Sequence, residues 1–93
     1  MTRSQGTFVR SDVVLTREVE NALLLLAPHA GGVVSLSGSG PEIWRLLRSP
    51  LSCEELVRRL ADRFEVSPHD ISEDVHRTLE ALLEARVIRR GAA

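Results

Sequence analysis

Ninety-three residues, 43% hydrophobic and 27% charged, describe an ordinary soluble globular composition, long enough for one modest core and short for two domains. Twelve arginines, no lysine and thirteen acids leave a net charge of −1, which gives no electrostatic reason to expect nucleic acid or an anionic membrane as partner. The longest apolar run, residues 22–27, is too short to span a bilayer. The N-terminus lacks an apolar signal core, and a single cysteine, Cys53, excludes an internal disulfide or a cysteine-based zinc ribbon. A cytoplasmic protein is expected.

Residues 1–10 are polar and read as a flexible N-terminal arm, followed by a single domain over residues 11–90 and a short tail over 91–93. Val13-Val14-Leu15-Thr16 favours a strand and leads into a polar turn region, Glu18 to Asn21. Ala22 to Ala27 gives a second strand. A Pro/Gly break at Pro28, His29, Ala30, Gly31 and Gly32 precedes a third, Val33 to Ser37. The spacing predicts a three-stranded antiparallel meander.

From Gly38 the period becomes helical. Gly38-Ser39-Gly40 reads as a hinge, and Pro41 suits a first helical turn, where its missing N–H would have no partner anyway. Ile43, Trp44 and Leu47 share one face. Ser52-Cys53-Glu54-Glu55 fits a capping box, with Leu51 and Leu56 as the staple, and opens a second helix. Its stripe is Leu56, Val57, Leu60, Ala61 and Phe64. Ser67 and Pro68 open a third helix, with Val66 stapled to Ile71 and a core face of Ile71, Val75, Leu79 and Leu82. Val87-Ile88 then reads as an extended end. The expected class is α+β, winged-helix-turn-helix-like: an N-terminal three-stranded antiparallel sheet followed by three helices.

No catalytic constellation assembles, and neither metal nor cofactor is expected. His69 and His76 are seven apart with no third ligand nearby, and no histidine partner is evident for Cys53. Gly38-Ser39-Gly40 lacks both the Lys-Ser/Thr ending of a phosphate loop and the third glycine of a dinucleotide fingerprint. A winged-helix DNA-binding regulator is the alternative reading. Against it, the would-be recognition helix from Asp70 to Arg86 carries five acids and two arginines, a charge that repels phosphate.

Leu36 to Trp44 resembles a pattern of the PqqD-like family, in which a strand ending in Leu-Asn leads through a Thr-Gly or Ser-Gly step to Ile-Trp and a Leu-Leu pair. Here Ser37 stands for the Asn, Ser39-Gly40 is the step, and Ile43-Trp44 is followed by Leu46-Leu47. Downstream, Ser52-Cys53-Glu54-Glu55-Leu56 resembles the start of the family's second helix, and Phe64-Glu65-Val66-Ser67-Pro68 its next joint. Glu73-Asp74-Val75 and Leu79-Glu80-Ala81-Leu82 are similar to its third helix. The resemblance covers roughly residues 12–90. It departs at Val34 and Ser35, where an aromatic is frequent, and at Arg86, where the third helix usually ends in glycine.

The resemblance implies a recognition element for ribosomally made, post-translationally modified peptides. Such proteins bind the leader segment of a precursor beside the third strand and third helix and present it to enzymes acting in trans. Standalone members serve pyrroloquinoline quinone synthesis and split lasso-peptide systems. Implied partners are therefore a precursor leader and a leader peptidase, cyclase or radical-type modifying enzyme. No nucleic acid or membrane is expected as partner, and the chain itself is expected to be a monomer or weak homodimer.

The residues allow such binding independently. Val33, Val34, Ser35, Leu36 and Ser37 can offer an open edge to an extended peptide. On the third helix, Asp74, Thr78, Ala81 and Ala85 form a stripe of mostly small side chains beside the core face. Arg77 lies farther outward with Glu73, Glu80 and Glu84, placed to grip polar peptide groups. The same stripe would also suit packing against another helix of the domain; the resemblance favours the groove.

Overall fold

A computed structural model describes residues 6–28 and 32–91; residues 1–5, 29–31 and 92–93, on which parts of the arm, turn and tail expectations fall, lie outside the described residues. The expected meander is present as β2 (Leu15–Val19), β3 (Ala22–Ala27) and β4 (Gly32–Leu36), in that spatial order and antiparallel. The first of these strands lies later than Val13–Thr16. Val19 pairs with Ala22, so the turn is only Glu20-Asn21, and Glu18 and Val19 belong to the strand rather than to the turn. Every residue of β2 is exposed, as suits an edge strand; polarity there marks the edge, not a turn.

Register sets the two faces of this sheet. Leu25 is fully buried and stands between Thr16 and Val34, while Leu23 stands opposite Leu36. Alternation therefore turns Leu23, Leu25, Val34 and Leu36 to the core, and Leu15, Leu26 and Val33 outward.

Among the described residues three helices follow: α1 (Gly40–Leu46), α2 (Cys53–Phe64) and α3 (Pro68–Glu84). The Ser37 carbonyl accepts the Gly40 N–H at 3.0 Å, and Gly38 supplies the left-handed residue of the turn, with φ of 61°. A Cβ on Gly40 would lie 2.9 Å from Cβ of Leu36, so glycine is what lets α1 start against the end of β4. Ser52 caps α2 in the expected box. Its Oγ accepts the Glu55 N–H at 3.1 Å, and its own N–H donates to Glu55 Oε1 at 2.9 Å. That backbone donor holds the Glu55 carboxyl below its ordinary range. Ser67 Oγ accepts the Asp70 N–H at 3.2 Å to cap α3.

The expected core faces of α1 and α3 are buried: Ile43, Trp44 and Leu47 on one side, Ile71, Val75, Leu79 and Leu82 on the other. Phe64 departs from expectation. It continues the α2 stripe geometrically, yet the helix ends there, with Glu65 left-handed at φ 57°, and the ring projects past the core with 43% of its surface exposed.

A second sheet replaces part of the expected N-terminal arm. Thr7–Arg10 forms β1, the centre of a small antiparallel sheet between β5 (Leu51–Ser52) and β6 (Ile88–Arg90). Phe8 stands opposite Leu51 on one side and Arg90 on the other, and is itself buried. The extended end at Val87-Ile88 is thus anchored: Ile88 is in the ladder, and the Val87 carbonyl accepts the Ser11 N–H at 2.9 Å. Both partners of β1 lie far downstream in the chain, where no local pattern can reveal them.

The end of α3 shows what Arg86 does in place of the glycine of the resemblance. Arg86 adopts the left-handed conformation itself, with φ of 63°. Its N–H donates to the Leu83 carbonyl at 3.0 Å and the Val87 N–H to that of Leu82 at 3.1 Å, the paired bonds of a Schellman ending. A left-handed residue bearing Cβ costs about 1–2 kcal/mol, partly offset by the greater chain entropy of glycine. Arg86→Gly should therefore stabilise the protein by about 0.5–1 kcal/mol. A denaturant midpoint that fell would show that the Arg86 side chain makes a contact worth more than the strain.

Candidate functional site

Among the described residues the meander has two open edges, β2 and β4, and they differ chemically. β2 carries Arg17 and Glu18 at its middle. In the two symmetric registers centred there, pairing with a second β2 sets Arg17 against Arg17 or Glu18 against Glu18, and like charges directly opposite are destabilising. β4 reads Gly32-Val33-Val34-Ser35-Leu36 and carries no charge. Its alternate N–H and C=O groups point away from β3 with nothing in the sequence to repel an incoming strand.

Where β4 ends, the surface deepens. Gly38 and Ser39 form one wall of a cleft of about 440 Å³, and the end of α2 and first turns of α3 supply Phe64, Val66, Asp70, Ile71 and Asp74. The lining is mainly apolar, with Val66 left 42% exposed. Among the described residues the only ionisable groups on it are the two carboxylates. An extended chain paired to β4 and continuing past Leu36 would arrive in this cleft.

The residues singled out in the sequence are brought together only in part. Val33 and Ser35 are exposed or nearly so, Val34 is half-buried, and Leu36 is buried, so Leu36 offers only backbone. Ser37 lies beyond the strand and uses its carbonyl in the turn. Asp74 lines the cleft, whereas Arg77, Thr78, Ala81 and Ala85 do not. They continue along α3, with Ala81 exposed and Thr78 and Ala85 half-buried. Arg77 is engaged on its own helix, 3.4 Å from Asp74 and 4.0 Å from Glu73. By pattern, Phe64, Val66, Asp70 and Ile71 belong to core, staple and cap rather than to a site. No periodicity distinguishes a stripe residue inside the core from one just past its edge.

Two other features lie apart from β4. A cavity of about 570 Å³ opens between the β2–β3 turn and α1. There the Arg10 guanidinium lies 4.4 Å from the centroid of the Trp44 ring, and its Nε donates to the Trp44 carbonyl at 2.9 Å. It is the larger cavity, but it borders the charged edge strand. On the far flank of α3, Cys53 has a histidine neighbour that spacing did not reveal. Nε2 of His76 lies 3.4 Å from Sγ, while Nδ1 donates to the Ser72 carbonyl at 3.0 Å. Burial pushes the Cys53 thiol up, the reverse of what activates a cysteine nucleophile. Among the described residues no three His, Cys, Asp or Glu side chains gather to hold a metal, and no helix is long and apolar enough to cross a membrane.

The same architecture occurs in solved structures. "TbiB1 in Complex with the TbiA(beta) Leader Peptide" is 25% identical, with a TM-score of 0.73 over 91% of this chain and 99% of that one. The PqqD truncation of Methylobacterium extorquens PqqCD, described as a stand-alone RiPP recognition element, shares the fold at 22% identity. Its TM-score is 0.72 over 90% of this chain and 89% of that one. No curated protein matches the chain by sequence. The sequence profile of the family described as Coenzyme PQQ synthesis protein D (PqqD) matches residues 22–88, which take in β3, β4, all three helices and the cleft. The chain belongs to the PqqD family.

Proposed function

We propose that this protein is a non-catalytic adaptor in the cytoplasm that binds the leader segment of a ribosomal precursor peptide. The leader adds as a strand along β4, beside α3, and is delivered to a leader peptidase, cyclase or radical-type modifying enzyme acting in trans. The observation that carries this reading is the uncharged open edge of β4 running into an apolar cleft, since strand addition needs unpaired backbone and a pocket for side chains. The likeness to TbiB1, solved with a leader peptide bound, supports it. A DNA-binding role has no such support: Asp70, Glu73, Asp74, Glu80 and Glu84 make α3 strongly acidic. We further propose that residues 11–90 act as one recognition domain, with β1 as its added anchor, and that the protein is a monomer or weak homodimer.

Titrating a fluorescent leader peptide, taken from the precursor encoded beside this chain, tests the reading. Binding at about micromolar Kd or tighter, roughly −8 kcal/mol, is expected. Absence of binding at hundreds of micromolar would contradict it.

A further inference from the structure

Given leader binding, on which the inference below depends, the chemistry of the cleft narrows which leaders it admits. Phe64 and Val66 line the cleft partly exposed, together with the buried Ile71, an apolar surface that an apolar side chain can cover. The rim is one-signed. Asp70 and Asp74 are the charged residues lining the cleft, and α3 as a whole holds five acids against one arginine. That arginine, Arg77, reaches Asp74 from the outer side of the helix, while Asp70 has no ion pair among the described residues.

Asp70 and Asp74 are one helical turn apart, about 6 Å along the axis. In an extended peptide, residues i and i+2 share a face about 6.8 Å apart. Because Phe64, Val66, Asp70 and Asp74 line one cleft, a side chain seated against the apolar pair leaves its nearest same-face neighbour, at i±2, to face the carboxylates. A cation there gains a charge-assisted acceptor in Asp70, with Asp74, which also meets Arg77 at 3.4 Å, one turn on. A carboxylate at the same place is repelled by both. We infer that the leaders this chain selects carry an apolar residue two positions from an arginine or lysine, and that Asp70 and Asp74 are the residues that choose the cation.

Display selection of random twelve-residue peptides against the purified chain tests this even before the precursor is identified. Enriched peptides should share an apolar residue with a basic residue two positions away. One such peptide, resynthesised, should bind the Asp70→Asn/Asp74→Asn variant at least tenfold more weakly. Both side chains lie at the surface and the changes are isosteric, so circular dichroism should be unaltered. Should the variant unfold, salt decides on the wild type: affinity must fall severalfold as ionic strength rises from about 0.1 M, where the Debye length is roughly 10 Å, to about 0.5 M. Enrichment of apolar residues alone, or equal affinity for the variant, overturns the inference and leaves leader binding standing. A basic preference that survives in the variant but disappears in Glu80→Gln/Glu84→Gln also overturns it, by placing the cation elsewhere on α3. A folded chain that enriches no peptide above bare support overturns both.

Discussion

Replacing Trp44 by alanine is expected to cost about 3–5 kcal/mol of stability, the usual range for emptying a buried tryptophan site. The side chain is 5% exposed and is the only tryptophan in a chain with no tyrosine and two phenylalanines. It shares the α1 face with Ile43 and Leu47, both fully buried, so its loss leaves a void that no other large ring is placed to fill. It also forms the platform for Arg10, which stacks on the indole and donates to the Trp44 backbone. Without the ring, the Arg10 guanidinium loses its cation–π partner, and through it the tie between the end of β1 and α1 weakens. A domain of this size has about 5–15 kcal/mol in all, so the melting temperature should fall by roughly 15 °C or more. A thermal melt within a few degrees of wild type would contradict this assignment of the core.

The second large effect concerns binding with the fold intact. Ala81 is exposed on α3, off the buried face of Val75, Leu79 and Leu82, on the flank that also carries Asp74 and Thr78. Ala81→Arg should change stability by under about 0.5 kcal/mol, as exposed helix substitutions generally do. If the leader lies along that flank between β4 and α3, a long side chain there stands in its path. Affinity should then drop at least tenfold, about 1.4 kcal/mol. Because the guanidinium also brings positive charge to an acidic helix, Ala81→Gln serves as the neutral control. Wild-type affinity in a folded Ala81→Arg protein would place the peptide wholly at the β4 edge and the Phe64–Val66 cleft. Unfolding would mean that the helix face is rotated from the one observed.

Much of this architecture is legible in the sequence because local chemistry and tertiary structure agree. The capping box at Ser52 and Glu55 fixes the start of α2, Ser67 and Pro68 fix that of α3, and the apolar period of about 3.6 identifies Val75, Leu79 and Leu82 as core. The features that are not legible depend on partners distant in sequence. Thr7–Arg10 is a strand only because Leu51 and Ile88–Arg90 flank it. β2 extends through Glu18 and Val19 because the register with β3 requires it, against the polarity of that stretch. The site divides in the same way. The uncharged β4 edge can be read from Val33 to Leu36, whereas the cleft cannot, since it exists where α2 stops at Phe64 and Glu65 turns left-handed. The neighbourhood of Cys53 and His76, 23 residues apart on two helices, is equally invisible to spacing rules.

The most direct test of strand addition at β4 is an amide-resolved NMR titration of the isotope-labelled protein with the cognate leader. The expected result is large shift changes along Val33, Val34 and Ser35, with slowed hydrogen exchange at the alternate amides that point away from β3. Accompanying shifts should appear at Gly38, Ser39, Val66, Asp70 and Asp74, and β2 should be unperturbed. Perturbations centred on Leu15 to Val19, or confined to the outer face of α2, with the β4 amides unchanged, would contradict it.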